Sequence, residues 1–262
     1  MLFDKYFIPV VIPERVYALL KLVKSGQYTR DDLKELMLPR ELNKNQDEFN
    51  TVFKAVSDTN LIKINEFTDI VECLLTDDDI SSVDNYRRYM SKLATSNNNL
   101  FIRFTSWYIS QNQDVFFYKT AEELSRRLTG EFINMDKKLV LGWRFWASFL
   151  GYGYLHDTFL IPNMCVRIND ALYMDKLKGD TSIGFSEFME HLSKVCPEIQ
   201  NSIVDKNLSI ALSNGLRSLH DMGKIKLVYT PDSNDVWHLF RIESHEIHEN
   251  VTDIIIREGL YE

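Results

Sequence analysis

Several features are missing from this chain, and each absence closes off a class of protein. Cysteine occurs three times in 262 residues. Cys73, Cys165 and Cys196 are far apart, odd in number and without paired ligand spacing, so neither a disulfide framework nor a zinc knuckle is expected and the three read as reduced core thiols. No stretch approaches the roughly 20 apolar residues that a bilayer-spanning helix needs. The opening MLFDKYFIPVVIPER has a short apolar core and no basic leader, unlike a secretory signal, which makes the cytoplasm the expected compartment. An excess of basic charge is also lacking: 30 Lys and Arg face 38 Asp and Glu, a net of -8. Such a balance argues against a protein that coats nucleic acid over its whole surface, because phosphate binding draws on clustered cations.

Catalytic signatures are equally scarce. Gly151-Tyr152-Gly153 is followed neither by a third glycine nor by Lys-Ser/Thr, so the dinucleotide fingerprint and the phosphate loop are absent. His245-Glu246-Ile247-His248 sets its imidazoles three apart, where the helical zinc motif needs four. Asp77, Asp78 and Asp79 are adjacent, whereas a magnesium site gathers acids from separated segments, and a solvated acidic loop is the reading. Cys165 and Cys196 have no local His to act as a base. The expectation is a protein that is not an enzyme and carries no metal or cofactor.

What is present is helical periodicity, punctuated by short β-like segments. With 45% hydrophobic residues, the length suits two or three small domains. Pro13 can open a helix carrying Val16, Leu19, Leu20 and Val23, stopped by Gly26. Thr29 caps a second with Asp31 and Asp32 in its first turn and Leu33, Leu36 and Met37 on one face. After the polar ELNKNQDE, Phe49, Val52, Phe53 and Val56 mark a third, and Leu61–Ile64 with Ile70–Leu75 supply two strands of a small wing. Three helices closed by a hairpin is the winged-helix order, expected over residues 1–80. Residues 81–98 then form a linker helix bearing Arg87 and Arg88 on a solvated face.

The order repeats over residues 99–175. LFIRFTSWYISQN is aromatic and amphipathic, Thr120 caps AEELSRRL with Glu123 at the capping-box position, and MDKKLVLGWRFWASFL forms a helix stopped at Gly151 or Gly153 before the β-like FLIPN. Phe101, Phe104, Trp107, Trp143, Phe145, Trp146 and Phe149 are expected to share a core. A third unit spans 181–262: IGFSEFMEHLSKVCPEI, then a helix lined by Leu208, Leu212, Leu216 and Leu219 and stopped by Gly223, then KIKLVYTPDSNDVWHLFRI as a hairpin turning at TPDSND. ENVTDIIIREGL reads as a C-terminal helix. The fold class expected is mainly α with small β-hairpin wings, in tandem winged helix-turn-helix modules.

Charge singles out the middle. Residues 1–80 carry ten basic against fifteen acidic side chains, residues 81–180 thirteen against ten, and residues 181–262 seven against thirteen. Candidate nucleic-acid contacts are therefore Arg126 and Arg127 ending the second helix of the middle unit and Lys137, Lys138 and Arg144 on its third, the helix that enters the major groove in such folds. Arg217, Lys224 and Lys226 would line helix and wing in the third unit, within a field of seven acids.

GWRFWASFLGYGYL followed by FLIPNMCVRINDAL, a Trp-containing helix, a Gly stop and a Pro-Asn turn, resembles DpdG-like defence proteins. The tandem units also resemble the small third subunit, LmuC, of Lamassu systems, among the winged-helix accessory subunits of bacterial chromosome-maintenance and anti-phage complexes. These resemblances imply a scaffold or accessory subunit that contacts an SMC-like coiled-coil ATPase and a nuclease effector, with no catalytic residues; no membrane partner is expected, given the lack of a spanning apolar stretch. The acidic outer units agree, since they favour basic protein surfaces over DNA. The competing expectation is a transcriptional regulator whose middle winged helix binds double-stranded DNA.

Overall fold

A computed structural model describes residues 1–41, 47–157, 159–175 and 181–257. Its contacts divide the chain into two compact units, Met1–Phe101 with Leu124–Phe149, and Ile102–Glu123 with Leu150–Glu262. Residues 1–80 lie wholly in the first unit, whereas the stretch 99–175 is shared between the two. Both are mainly helical with small sheets.

In the first unit, α1 (Pro13–Ser25) begins at its proline and buries Val16, Leu19, Leu20 and Val23. Thr29 starts α2 (Arg30–Met37) with a reciprocal cap: its hydroxyl accepts from the Asp32 amide, and the Asp32 carboxylate accepts from the Thr29 amide. Helix α3 (Asp47–Asp58) turns Phe49, Val52, Phe53, Ala55 and Val56 inward, and of the polar stretch before it residues 42–46 lie outside the described residues. Strands β1 (Ile62–Ile64) and β2 (Val71–Cys73) pair antiparallel with Ile62 opposite Cys73 and Ile64 opposite Val71. Thr29 bridges Ile70, and the Val71 amide donates to the Tyr28 carbonyl. The chain just before α2 thus lies beside β2, on the edge away from β1.

Helix α4 (Val83–Thr95), the expected linker helix, starts at the Ser82 cap and buries Tyr86, Met90 and Ala94. Helix α5 (Leu100–Ser110) gives only its first residues to this unit. Helix α6 (Ala121–Arg127) belongs to this unit from Leu124 onward, and α7 (Lys137–Phe149) follows; the Thr120 hydroxyl accepts from the Glu123 amide, as a helix cap requires. The Trp146 indole donates to the Val11 carbonyl at 2.7 Å, with Phe3 packed edge-on to it. Gly142 permits this closeness, because a Cβ there would stand 2.1 Å from the Phe7 carbonyl oxygen. Of the aromatics expected in a core, Phe101, Trp143 and Trp146 are buried in this unit, with Trp146 edge-on to Phe149, and Phe104 is buried and stacked on Trp107 in the second unit.

The second unit opens with the rest of α5 and the hairpin β3 (Gly153–His156) and β4 (Phe159–Pro162), entered through Gly151 at φ +87. Helix α8 (Cys165–Asp175) leads to β5 (Thr181–Gly184), α9 (Phe185–Val195), the short β6 (Ile203–Val204) and β7 (Asn207–Leu208), and α10 (Ile210–Asp221). Strands β8 (Ile225–Val228), β9 (Trp237–His238), β10 (Asn250–Val251) and β11 (Asp253–Ile256) complete the described chain. One sheet has the order β5-β11-β8 and is antiparallel, and a second has the order β10-β9-β7-β6.

Two expectations are corrected here. ENVTDIIIREGL does not open a helix: its residues 250–256 hold β10 and β11, while 258–260 lie outside the described residues. Three consecutive isoleucines favour an extended chain, and Ile254 and Ile256 are buried in a strand paired on both edges. Nor do the strands flanking TPDSND pair with one another. β8 pairs with β11, Ile225 opposite Ile256 and Leu227 opposite Ile254, and β9 pairs with β10 and β7. Cross-strand burial of isoleucine and leucine outweighs a favourable local turn.

Candidate functional site

The eight basic residues singled out by charge have different fates. Arg126 and Arg127 are exposed at the end of α6, and Lys137 and Lys138 are exposed in the first turn of α7, all in the first unit. Beyond that turn α7 sinks into the core through Val140, Trp143, Trp146 and Ala147. Arg144 is half-buried, with its guanidinium 4.9 Å from the centre of the Phe145 ring, and desolvation lowers its pKa.

In the second unit Lys226 is exposed on β8, while the Lys224 ammonium donates to the Asn169 side chain at 2.9 Å. Arg217 must be removed from the candidates. It is 3% exposed, its Nε donates to the Ile247 carbonyl at 3.0 Å and one terminal nitrogen donates to the His248 carbonyl at 2.7 Å. A guanidinium held this way is not presented to a phosphate, and desolvation lowers its pKa.

Arg217 is one part of a larger closure. The Ser213 hydroxyl accepts from the Phe240 amide at 2.7 Å, His220 Nε2 meets Glu246 at 2.8 Å, and His245 Nε2 meets Asp221 at 3.0 Å. His220 Nδ1 accepts from the Leu227 amide, and His245 Nδ1 accepts from the Ile247 amide. Those bonds leave each Nε2 carrying the proton toward its carboxylate when the ring is neutral. Positions 213, 217, 220 and 221 share a side of α10, so the segment 240–248 lies along that side. Leu212, Leu216 and Leu219 are buried on another side of the helix. The two histidines of the near-miss zinc motif therefore lie in a strap, where His245 binds an aspartate and His248 offers its carbonyl. Among the described residues, no group of three or more His, Cys, Asp or Glu side chains could hold a metal.

Sequence reading missed a buried ionic cluster. Arg167 Nε donates to Glu198 at 2.8 Å, its terminal nitrogen donates to the Val195 carbonyl at 2.9 Å, and the Tyr152 hydroxyl donates to the same glutamate oxygen at 3.0 Å. Both charged side chains are fully enclosed. Burial pushes the Cys165 and Cys196 thiols up, which disfavours the thiolate that nucleophilic chemistry requires. All three cysteines are free; Cys165 and Cys196 are buried and Cys73 is half-buried.

A family model described as DpdG-like matches residues 9–233 of the chain. No curated protein and no solved structure matches it.

Proposed function

The chain belongs to the DpdG-like family, and from that premise we propose that it is a non-catalytic accessory subunit of an anti-phage defence complex, acting in the cytoplasm through tandem winged-helix modules. Its protein partners are an SMC-like coiled-coil ATPase and a nuclease effector. The module reading draws on a recurring order. Helix α1, the edge at Thr29, α2, α3, β1 and β2 run in the same sequence as α8, β5, α9, α10, β8 and β11. In both sets the last strand lies between the other two edges. The middle module follows as α5, α6, α7, β3 and β4.

The observation that carries the accessory role is the closure over α10. This helix holds the place from which a winged helix reads the major groove, yet its Ser213, Arg217, His220 and Asp221 are bonded to the chain's own 240–248 segment. Burial of the Cys165 and Cys196 thiols supports a role in which these two cysteines do no nucleophilic chemistry. Co-expression with the products of neighbouring genes tests the role: stable co-elution with a coiled-coil ATPase is expected, and elution alone beside every one of them contradicts it.

Exposure of Arg126, Arg127, Lys137 and Lys138 favours a second reading, duplex DNA binding by the middle module. It requires steeply salt-dependent binding that Lys137→Glu with Lys138→Glu abolishes, and an absence of binding at low salt ends it.

A further inference from the structure

Phe67 stands at the tip of the β1–β2 hairpin with 97% of its surface exposed, more than any other large apolar side chain described. A tip of this kind is normally polar, since an aromatic ring left in water forfeits the free energy of its burial. The turn beneath it is fixed by its own bonds. The Asn65 side-chain oxygen accepts from the Phe67 amide at 3.0 Å and from the Thr68 amide at 3.3 Å, and the Asn65 side-chain amide donates to Glu72 at 3.0 Å. The Asn65 backbone amide donates to the Ile70 carbonyl, and the Asp69 amide donates to the Asn65 carbonyl, both at 2.9 Å. Lys63 pairs with Glu72 at 2.9 Å, lower on the hairpin. Glu66 and Asp69 flank the ring and are exposed, and Ile64, 43% exposed, continues the apolar surface down β1.

We infer that this wing is an aromatic plug for a protein partner: Phe67 enters an apolar pocket whose rim carries lysine or arginine, drawn there by Glu66 and Asp69. The charge decides the occupant. A duplex or an anionic lipid surface repels those two carboxylates, whereas a basic protein rim complements them. A second copy of this chain is a poorer match, since its net charge is -8. The fixed turn presents the ring already oriented, which lowers the ordering cost of docking, and single buried aromatics often dominate such contacts.

The inference rests on the accessory-subunit reading and names its contact. To test it, a photo-crosslinking phenylalanine analogue at position 67 of the full chain is activated in the native host, and the captured protein is identified, purified and titrated against variants. The expected result is an adduct inside an apolar pocket edged by basic residues. Phe67→Ala then weakens binding by at least about tenfold, Phe67→Leu by less, and Glu66→Lys with Asp69→Lys removes the salt-sensitive part of the affinity. A protein adduct whose binding is unchanged in Phe67→Ala overturns the plug while the accessory role stands. Adducts only to nucleic acid or to a second copy of the chain, or no adduct at all, overturn the plug as well. The accessory role itself fails separately, by elution of the chain alone in the co-expression experiment.

Discussion

The loop between β1 and β2 and the much longer segment between β8 and β11 occupy the same place in two similar successions of elements, and they are handled in opposite ways. The first is a short turn that satisfies its own backbone and lifts a phenylalanine into solvent. The second runs back along α10, and Arg217, His220 and Asp221 of that helix fasten it. The cores differ in the same sense. Among the described residues, the buried charged side chains Arg167, Asp170, Glu198 and Arg217 all belong to the second unit, while the buried polar groups of the first are Thr59, Ser91 and Asn99. A buried charge is stable only with its partners in place, so the second unit is fixed by specific bonds and the first chiefly by apolar packing.

This contrast predicts a ranking of effects. Glu198→Ala leaves the enclosed Arg167 without its carboxylate and should cost the second unit about 3–5 kcal/mol in urea melts; a loss below about 1 kcal/mol would break the distinction between the cores. Arg217→Met comes next, with a loss of about 1–3 kcal/mol as the Ile247 and His248 carbonyls lose their donor. Proteolysis within residues 240–248 should accelerate in that variant.

A smaller, pH-dependent effect belongs to Asp235, which sits within the long segment. Hydrogen bonds from the Lys206 ammonium and then the Ser186 hydroxyl hold its carboxyl below the usual carboxylate range. A folded-state pKa below the unfolded value stabilises above the unfolded value and is lost as pH falls through the folded one. Asp235→Asn should therefore lower Tm slightly at neutral pH, with the difference from the parent closing in acid. Smallest of all, Phe67→Ala should leave stability within about 0.5 kcal/mol, because the ring makes almost no contact in the isolated chain.

The sequence carried the local structure well. Pro13, Thr29 and Thr120 mark helix starts, Gly151 and Gly223 take the positive φ of chain reversals, and the inward faces of α1, α3 and α10 follow their apolar spacing, except that Leu208, expected on α10, lies in β7. Longer-range pairing was not legible. Whether Ile254–Ile256 continues a helix or enters a sheet depends on Leu227 and Ile225, 27 and 31 positions before their partners, and on Ile183. Similarly, nothing in the residues of α8 announces that it packs against α9 and α10. Arg217 looks like any helical cation, since only the return of residues 247 and 248 makes it a clamp. For Phe67 a signal existed, an aromatic within the turn-forming NEFTD, but exposure is a property of the folded chain.

The opposition between the two segments is read most directly by amide hydrogen exchange on the full chain, alone and with its purified partner. The account predicts that residues 64–70 gain protection in the complex, while residues 239–252 are protected in both states and change little. Protection gained across 239–252 with none at 64–70 would contradict it.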